Sequence, residues 1–193
     1  MSKLNKNKQE KLIDFEKFDK KRLVFAAGRL TKQKNFSYLI DEFCLFSKKN
    51  VDFILLILGE GEEKNKLKQK IKNLNIENKV HLIGNVKDVY NYFKQGEVFI
   101  LSSLWEEVGF VMIEAAFSNL FIISSDCPNG PKEFLDNDNN GILFKNNKIG
   151  ELTKSLEKYI NIENNKKYRI KAKKNTRKYT RFMHNIELNK ILK

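Results

Sequence analysis

The sequence predicts an α/β fold: a parallel sheet of about six strands with helices on both faces. Three observations carry that prediction. Short continuous apolar runs rich in Val, Ile, Leu and Phe recur along the chain. Segments with helical apolar spacing separate them. The runs are continuous rather than alternating, as in Phe53-Ile54-Leu55-Leu56-Ile57-Leu58, so each strand needs cover on both faces, which intervening helices supply.

The first strand is Leu23-Val24-Phe25-Ala26-Ala27, and the helix after it, near 35–49, sets Phe36, Leu39, Ile40, Phe43 and Phe46 on one stripe. A second strand follows at 52–58. Leu67, Ile71 and Leu74 give the next helix, near 62–75, its buried face. Strands at 79–83 and 97–101 flank a helix near 86–95. The helix at 108–118 ends in Ala115-Ala116-Phe117-Ser118, and Asn119 stands where a left-handed residue should close it. Strands at 121–124 and 141–144 complete the sheet. Helices are expected after residue 148, with Leu152, Leu156, Tyr159 and Ile160 periodic, then a last apolar stripe of Phe182, Ile186, Leu188 and Ile191 that needs cover. No repeat or Pro/Ser linker interrupts 23–160. The chain reads as a basic segment at 1–22, one domain at 23–162 and a basic helical segment at 163–193.

A net charge of +13 on 193 residues suggests a polyanion partner only if it is spread over the chain. Residues 1–22 carry 8 basic and 4 acidic groups, 145–193 carry 15 and 4, and 23–144 carry 14 and 16. The middle is nearly neutral. From Lys166 to Arg181, nine of sixteen residues are Lys or Arg and none is acidic. A solvated helix face is the ordinary source of such a run. Any specific partner there is expected to be an anionic membrane surface ahead of nucleic acid. The two cysteines, Cys44 and Cys127, lie in unrelated contexts without companion histidines, which argues against a disulfide framework or a zinc site. The charged start and the absence of a bilayer-length apolar run predict a cytoplasmic chain, peripheral at the inner membrane face if it meets the membrane at all.

In open parallel sheets, ligands bind beyond the carboxyl ends of strands, where helix amino ends offer free N–H groups. Three loops match. After the first strand comes Gly28-Arg29-Leu30-Thr31-Lys32-Gln33-Lys34-Asn35. There Gly28 permits close backbone approach, Arg29 offers a planar fork to phosphate, and Lys34 a mobile charge beside a helix start. After the second comes Gly59-Glu60-Gly61-Glu62, read as a plain turn in preference to a ligand loop. After the fourth, Ser102-Ser103 lead to Glu106 and to Gly109, Phe110 and Val111, whose N–H groups can meet phosphate or sugar oxygens. Glu114 lies inside the apolar helix that follows, where an unpaired carboxylate would cost several kcal/mol if fully buried. It must reach a cleft, solvent or donor hydroxyls.

In order along residues 23–144 stand Gly28-Arg29-Leu30 with Lys34-Asn35, Ile57-Leu58-Gly59-Glu60-Gly61, Val80-His81-Leu82-Ile83-Gly84, the Glu106 to Glu114 spacing, Asp126-Cys127-Pro128-Asn129-Gly130 with Glu133, and Gly141-Ile142-Leu143-Phe144. This series resembles the nucleotide-binding, carboxyl-terminal half of a retaining GT-B glycosyltransferase of glycosyltransferase family 4. The resemblance implies a Rossmann-like domain that binds a nucleotide diphosphate sugar and passes the sugar to a glycan or lipid-linked glycan with retention. Arg29 and Lys34 would hold the diphosphate and balance leaving-group charge. Glu106 would bind donor-sugar hydroxyls, Glu114 the ribose hydroxyls, and backbone from Gly84 and Asn85 to Lys87 would flank the base. No metal and no cofactor are implied beyond the donor itself. The family often has Glu-Gly-Phe-Gly where this chain has Glu106-Glu107-Val108-Gly109, so Glu107 adds charge beside the donor sugar. The family's acceptor-binding amino-terminal domain has no counterpart in residues 1–22, and the chain is expected to need a separate domain chain, or self-association, for turnover. The competing readings are an inactive truncated transferase, a non-catalytic module that docks on anionic surfaces, and, less favoured, a nucleotide-sugar epimerase.

Overall fold

The computed structural model describes residues 14–180, together with Met183 and Asn189. The stripe Phe182, Ile186, Leu188 and Ile191 lies outside them. Six strands form one parallel sheet: β1 (Arg22–Ala27), β2 (Phe53–Leu58), β3 (Val80–Gly84), β4 (Val98–Leu101), β5 (Phe121–Ser125) and β6 (Ile142–Phe144), in the order β3-β2-β1-β4-β5-β6. Each lies within one residue of its expected span. The helices are α1 (Phe36–Ser47), α2 (Lys64–Asn73), α3 (Val89–Phe93), α4 (Phe110–Phe117), α5 (Pro131–Phe134), α6 (Glu151–Ile160) and α7 (Lys166–Asn175). Of these, α5 was not anticipated: a single turn beginning at proline carries no apolar period to detect.

Strand β2 is buried at every position, as its unbroken apolar run requires. Side chains leave each strand to alternate faces, so β1 sends Val24 and Ala26 into one core and Leu23, Phe25 and Ala27 into the other. The first core takes the predicted stripe Phe36, Leu39, Ile40, Phe43 and Phe46 of α1, with Leu67 and Ile71 of α2 and Leu152, Leu156 and Tyr159 of α6. The second takes Phe93 of α3, Met112, Ala115 and Ala116 of α4, Phe134 of α5 and Ala172 of α7. Phe18, in a short 3-10 turn at Phe15–Phe18, also packs there. Asn119 closes α4 with a φ of 69°, as expected.

Two features position the carboxyl edge of the sheet. Strand order reverses between β1 and β4, so the connections after these neighbours leave in opposite directions and open a crevice there. At the other end of the same seam, Arg22 reaches across to Glu97 at 2.8 Å, and the Tyr159 hydroxyl donates to the same carboxylate at 3.1 Å. Elsewhere, fully buried Glu42 of α1 accepts from the N–H groups of Gly150 and Thr153 at 2.7 and 3.0 Å. That carboxylate caps the amino end of α6, which has no side-chain cap of its own. Among the described residues no helix is long and apolar enough to cross a membrane.

Candidate functional site

The crevice at the β1–β4 reversal is lined by the loops singled out in the sequence. One cavity of about 500 Å³ is bounded by Gly28, Arg29, Gln33 and Lys34 from the first loop and by Trp105 to Val111 from the loop after β4 and the start of α4. A second, of about 560 Å³, shares Gly28, Arg29 and Val111 with it and extends to Gly59, Glu60 and Gly61 after β2 and to Asn85, Val86 and Val89 after β3. Together they make one groove along the carboxyl ends of β4, β1, β2 and β3.

On the first cavity, Lys34 Nζ meets Glu106 Oε1 at 2.6 Å, with only 16% and 6% of the two side chains exposed. The Ser103 hydroxyl donates to the same Glu106 oxygen. The pair is fixed from behind. The Ser102 hydroxyl donates to the Lys34 carbonyl at 2.8 Å, and the Ser125 hydroxyl donates to the Ser103 carbonyl at 2.7 Å. Burial pushes the thiol of buried Cys127 up; a hydrogen bond with Ser125 opposes the shift, the Glu106 and Asp126 charges add to it, and the Lys34 charge opposes it least. Arg29, by contrast, leaves 77% of its side chain exposed and stands 3.7 Å from Glu62. One loop thus supplies a buried cation and an exposed one to the same groove.

Helix α4 begins at Gly109, whose φ of 71° turns the chain from the loop into the helix without a side-chain cap. The N–H groups of Phe110 and Val111 donate to no described residue, and both residues line the first cavity. Uncapped N–H groups with the helix dipole behind them favour an anion. The Gly59–Gly61 turn is more than a plain turn. A Cβ on Gly59 would stand 2.0 Å from the Gly28 carbonyl oxygen, and one on Gly61 2.4 Å from that of Leu30. The turn packs directly on the first loop and walls the second cavity.

Of the residues named from sequence, Gly28, Arg29, Lys34, Glu106, Gly109, Phe110 and Val111 border one cavity, and Asn85 borders the adjoining one. Gly84 and Glu114 border neither. Gly84 ends β3, and its carbonyl accepts from the Gly59 N–H at 2.7 Å. Glu114 sits one turn beyond Val111, partly buried, and its carboxylate makes no hydrogen bond or ion pair with a described residue. Burial pushes its carboxyl above the ordinary range. Sequence reasoning misses Gln33 and Trp105, joined by a 2.9 Å bond from the Gln33 side chain to the Trp105 carbonyl, and the serines that end β5. The signal for Ser124 and Ser125 was available: two hydroxyls ending an otherwise apolar strand need buried partners.

A family model for glycosyl transferases, group 1, matches residues 7–179. An uncharacterised glycosyltransferase of Haemophilus influenzae is 34% identical over 158 residues, 82% of this chain and 43% of its own length. A Campylobacter jejuni enzyme named as an N-acetylgalactosamine-N,N'-diacetylbacillosaminyl-diphospho-undecaprenol 4-alpha-N-acetylgalactosaminyltransferase is 31% identical over 155 residues, 80% of this chain and 42% of the enzyme. Among solved structures, a Staphylococcus aureus TarM mutant in complex with fondaparinux, alpha-GlcNAc-glycerol and UDP superposes with a TM-score of 0.80 at 26% identity, over 88% of this chain and 35% of that one. The chain spans about two fifths of the length of the curated relatives compared here.

Proposed function

Because the chain belongs to the group 1 glycosyl transferases, we propose that the groove binds a nucleotide diphosphate sugar and that the sugar passes to a glycan or lipid-linked glycan acceptor with retention of configuration. The observation that carries this reading is the Lys34–Glu106 pair, held in a groove that also offers the exposed Arg29 and the uncapped start of α4. A fixed cation beside free N–H groups suits a diphosphate, and an acid beside them suits sugar hydroxyls.

In this reading the diphosphate lies between Arg29, Lys34 and the N–H groups of Phe110 and Val111. Lys34 shares its charge between Glu106 and phosphate, which leaves Glu106 able to accept from donor-sugar hydroxyls. The base extends past Gly28 toward Asn85 and Val86, and the ribose toward Glu114. As the bond between the anomeric carbon and the diphosphate oxygen breaks, negative charge grows on the leaving group. Arg29 and Lys34 are preplaced to stabilise that charge, the role a metal plays in other transferases, so we propose that no metal or cofactor takes part beyond the donor. The acceptor would approach over the rim, where Trp105 and Phe110 expose 51% and 66% of their surface. A second domain or chain closing on that rim would orient the acceptor, and orientation supplies much of the rate in such a transfer.

The test is thermal shift with UDP, ADP and GDP, since a ligand that binds only the folded state raises its melting temperature. At least one diphosphate should stabilise the chain, and Arg29→Ala should lower that gain while leaving the response to the matching nucleoside. Equal losses for diphosphate and nucleoside would remove the phosphate assignment. Turnover with nucleotide sugars and a glycan acceptor panel, with the chain alone, tests the closing surface: robust transfer by a monomer would show that none is needed.

A further inference from the structure

The longest basic run in the chain plays no part in the groove. Its described part covers α7 and the 3-10 turn that follows at Thr176–Tyr179, and the buried side of α7 packs through Ala172 against α4 and β5. Ile170, 42% exposed, and Lys173 and Lys174 of α7, with Arg177 of the following 3-10 turn, surround a shallow apolar hollow of about 340 Å³ whose other wall is Phe117. Phe117 ends α4 with 56% of its surface exposed; Lys173 Nζ stands 5.4 Å from its ring and the half-exposed Tyr90 packs edge-on against it at 6.1 Å. Lys173, Lys174 and Arg177 form no ion pair with a described residue.

We propose that this face, centred on Phe117 and Ile170 and rimmed by Lys173, Lys174 and Arg177, docks on an anionic lipid bilayer. Two features select that occupant. Unpaired cations on a stretch that carries no acid from Lys166 to Thr180 are complementary to an anionic sheet, and each contributes about fivefold to partitioning near such a surface. The exposed aromatic and aliphatic groups in their midst gain only where an apolar layer lies just beneath the charge, which a bilayer interface provides and a polyphosphate backbone does not. Tyr90, apolar in body and polar at its tip, suits the same boundary. The face lies at the far end of α4 from Gly109, about 12 Å by helical rise, so docking leaves the groove open.

Sedimentation of the full chain with vesicles tests this. The chain should partition onto phosphatidylglycerol/phosphatidylcholine vesicles and not onto pure phosphatidylcholine. Lys173→Gln/Lys174→Gln/Arg177→Gln should lower partitioning about a hundredfold. Phe117→Ser/Ile170→Ser, which keeps every charge, should lower it about tenfold. All variants should keep the wild-type thermal shift with the diphosphate that stabilises the parent, which also certifies folding. If no diphosphate stabilises the parent, circular dichroism certifies folding, and the vesicle result stands independently of the groove's assignment. Absence of vesicle binding, unchanged binding by the Phe117/Ile170 variant, or polyuridylate binding as tight as that to vesicles would each overturn the proposal.

Discussion

The two basic regions of this molecule use charge in opposite ways. In the groove one lysine, Lys34, is 84% removed from solvent and held at 2.6 Å from a single acid. On α7 several cations project into solvent with no acidic partner, beside two exposed apolar side chains. A buried charge must be paired, so its position is fixed to within a hydrogen bond and it can act on one bond of one ligand. Exposed charges are individually weak and act by summing. The +13 total therefore says nothing about the groove, where the cations are few and placed.

The largest expected contrast comes from removing one lysine of each kind. Lys34→Ala leaves Glu106 buried without its cation and should cost about 3 kcal/mol of folding stability, the low end for a broken buried pair. Lys174→Ala should fall within about 0.5 kcal/mol of the parent. Urea denaturation of both variants measures the difference, and equal values would dissolve the comparison. Next in size, Arg29→Ala should weaken diphosphate binding by roughly 1.5 to 3 kcal/mol, with folding stability unchanged, because its guanidinium is exposed and its contact with Glu62 is long. Calorimetric titration separates that effect from the Lys34 variant, which should lose both binding and stability.

Salt sharpens the contrast further. Raising ionic strength from about 0.05 to about 0.5 M shortens the screening length severalfold, so vesicle binding through α7 should fall by about tenfold or more while diphosphate affinity falls much less. Parallel decline of the two would place the phosphate contacts in open solvent. The smallest effect concerns Glu114. Its folded carboxyl keeps its proton to higher pH than in the unfolded chain, so this group's contribution to stability is present at low pH and is lost as pH rises through the elevated value. Glu114→Gln should therefore stabilise the ligand-free chain slightly at neutral pH, and not at acid pH. It should also weaken binding of a ribonucleotide more than that of its 2'-deoxy form. Melting curves at two pH values and a deoxyribonucleotide control check both halves. Destabilisation at neutral pH would mean that Glu114 has a partner in the folded chain.

The strands were legible because a parallel sheet covered on both faces demands unbroken apolar runs, and Phe53–Leu58 is such a run. The groove was legible in part because Gly28, Arg29, Lys34 and Glu106 sit at strand ends in a fixed order. Their pairing was not legible: 72 residues separate Lys34 from Glu106, and no local pattern says which acid a lysine meets. The partner of Ser125, the Ser103 carbonyl 22 residues away, escaped for the same reason, although the need for a partner was visible in the strand. The Gly59–Gly61 sequence reads as a plain turn, and its close approach to Gly28 leaves no mark in sequence beyond the absence of a side chain.

The seam that carries the groove also dictates when the groove can exist during folding. Strand β1 meets β2 after a short excursion, with Leu23 beside Ile54, but meets β4 through Val24 beside Val98 and Phe25 beside Phe99, 74 residues away. Closing the longer loop costs more chain entropy and waits on more prior structure. A nascent chain can pair β1, β2 and β3 as soon as residue 84 is free, yet at that stage it has half a groove and Lys34 has no acid. We expect the site to appear in one step, when β4 inserts beside β1 and Arg22 finds Glu97. Pulse-labelled hydrogen exchange during refolding would register protection of β2 before β4, and simultaneous protection would show that the sheet forms all at once.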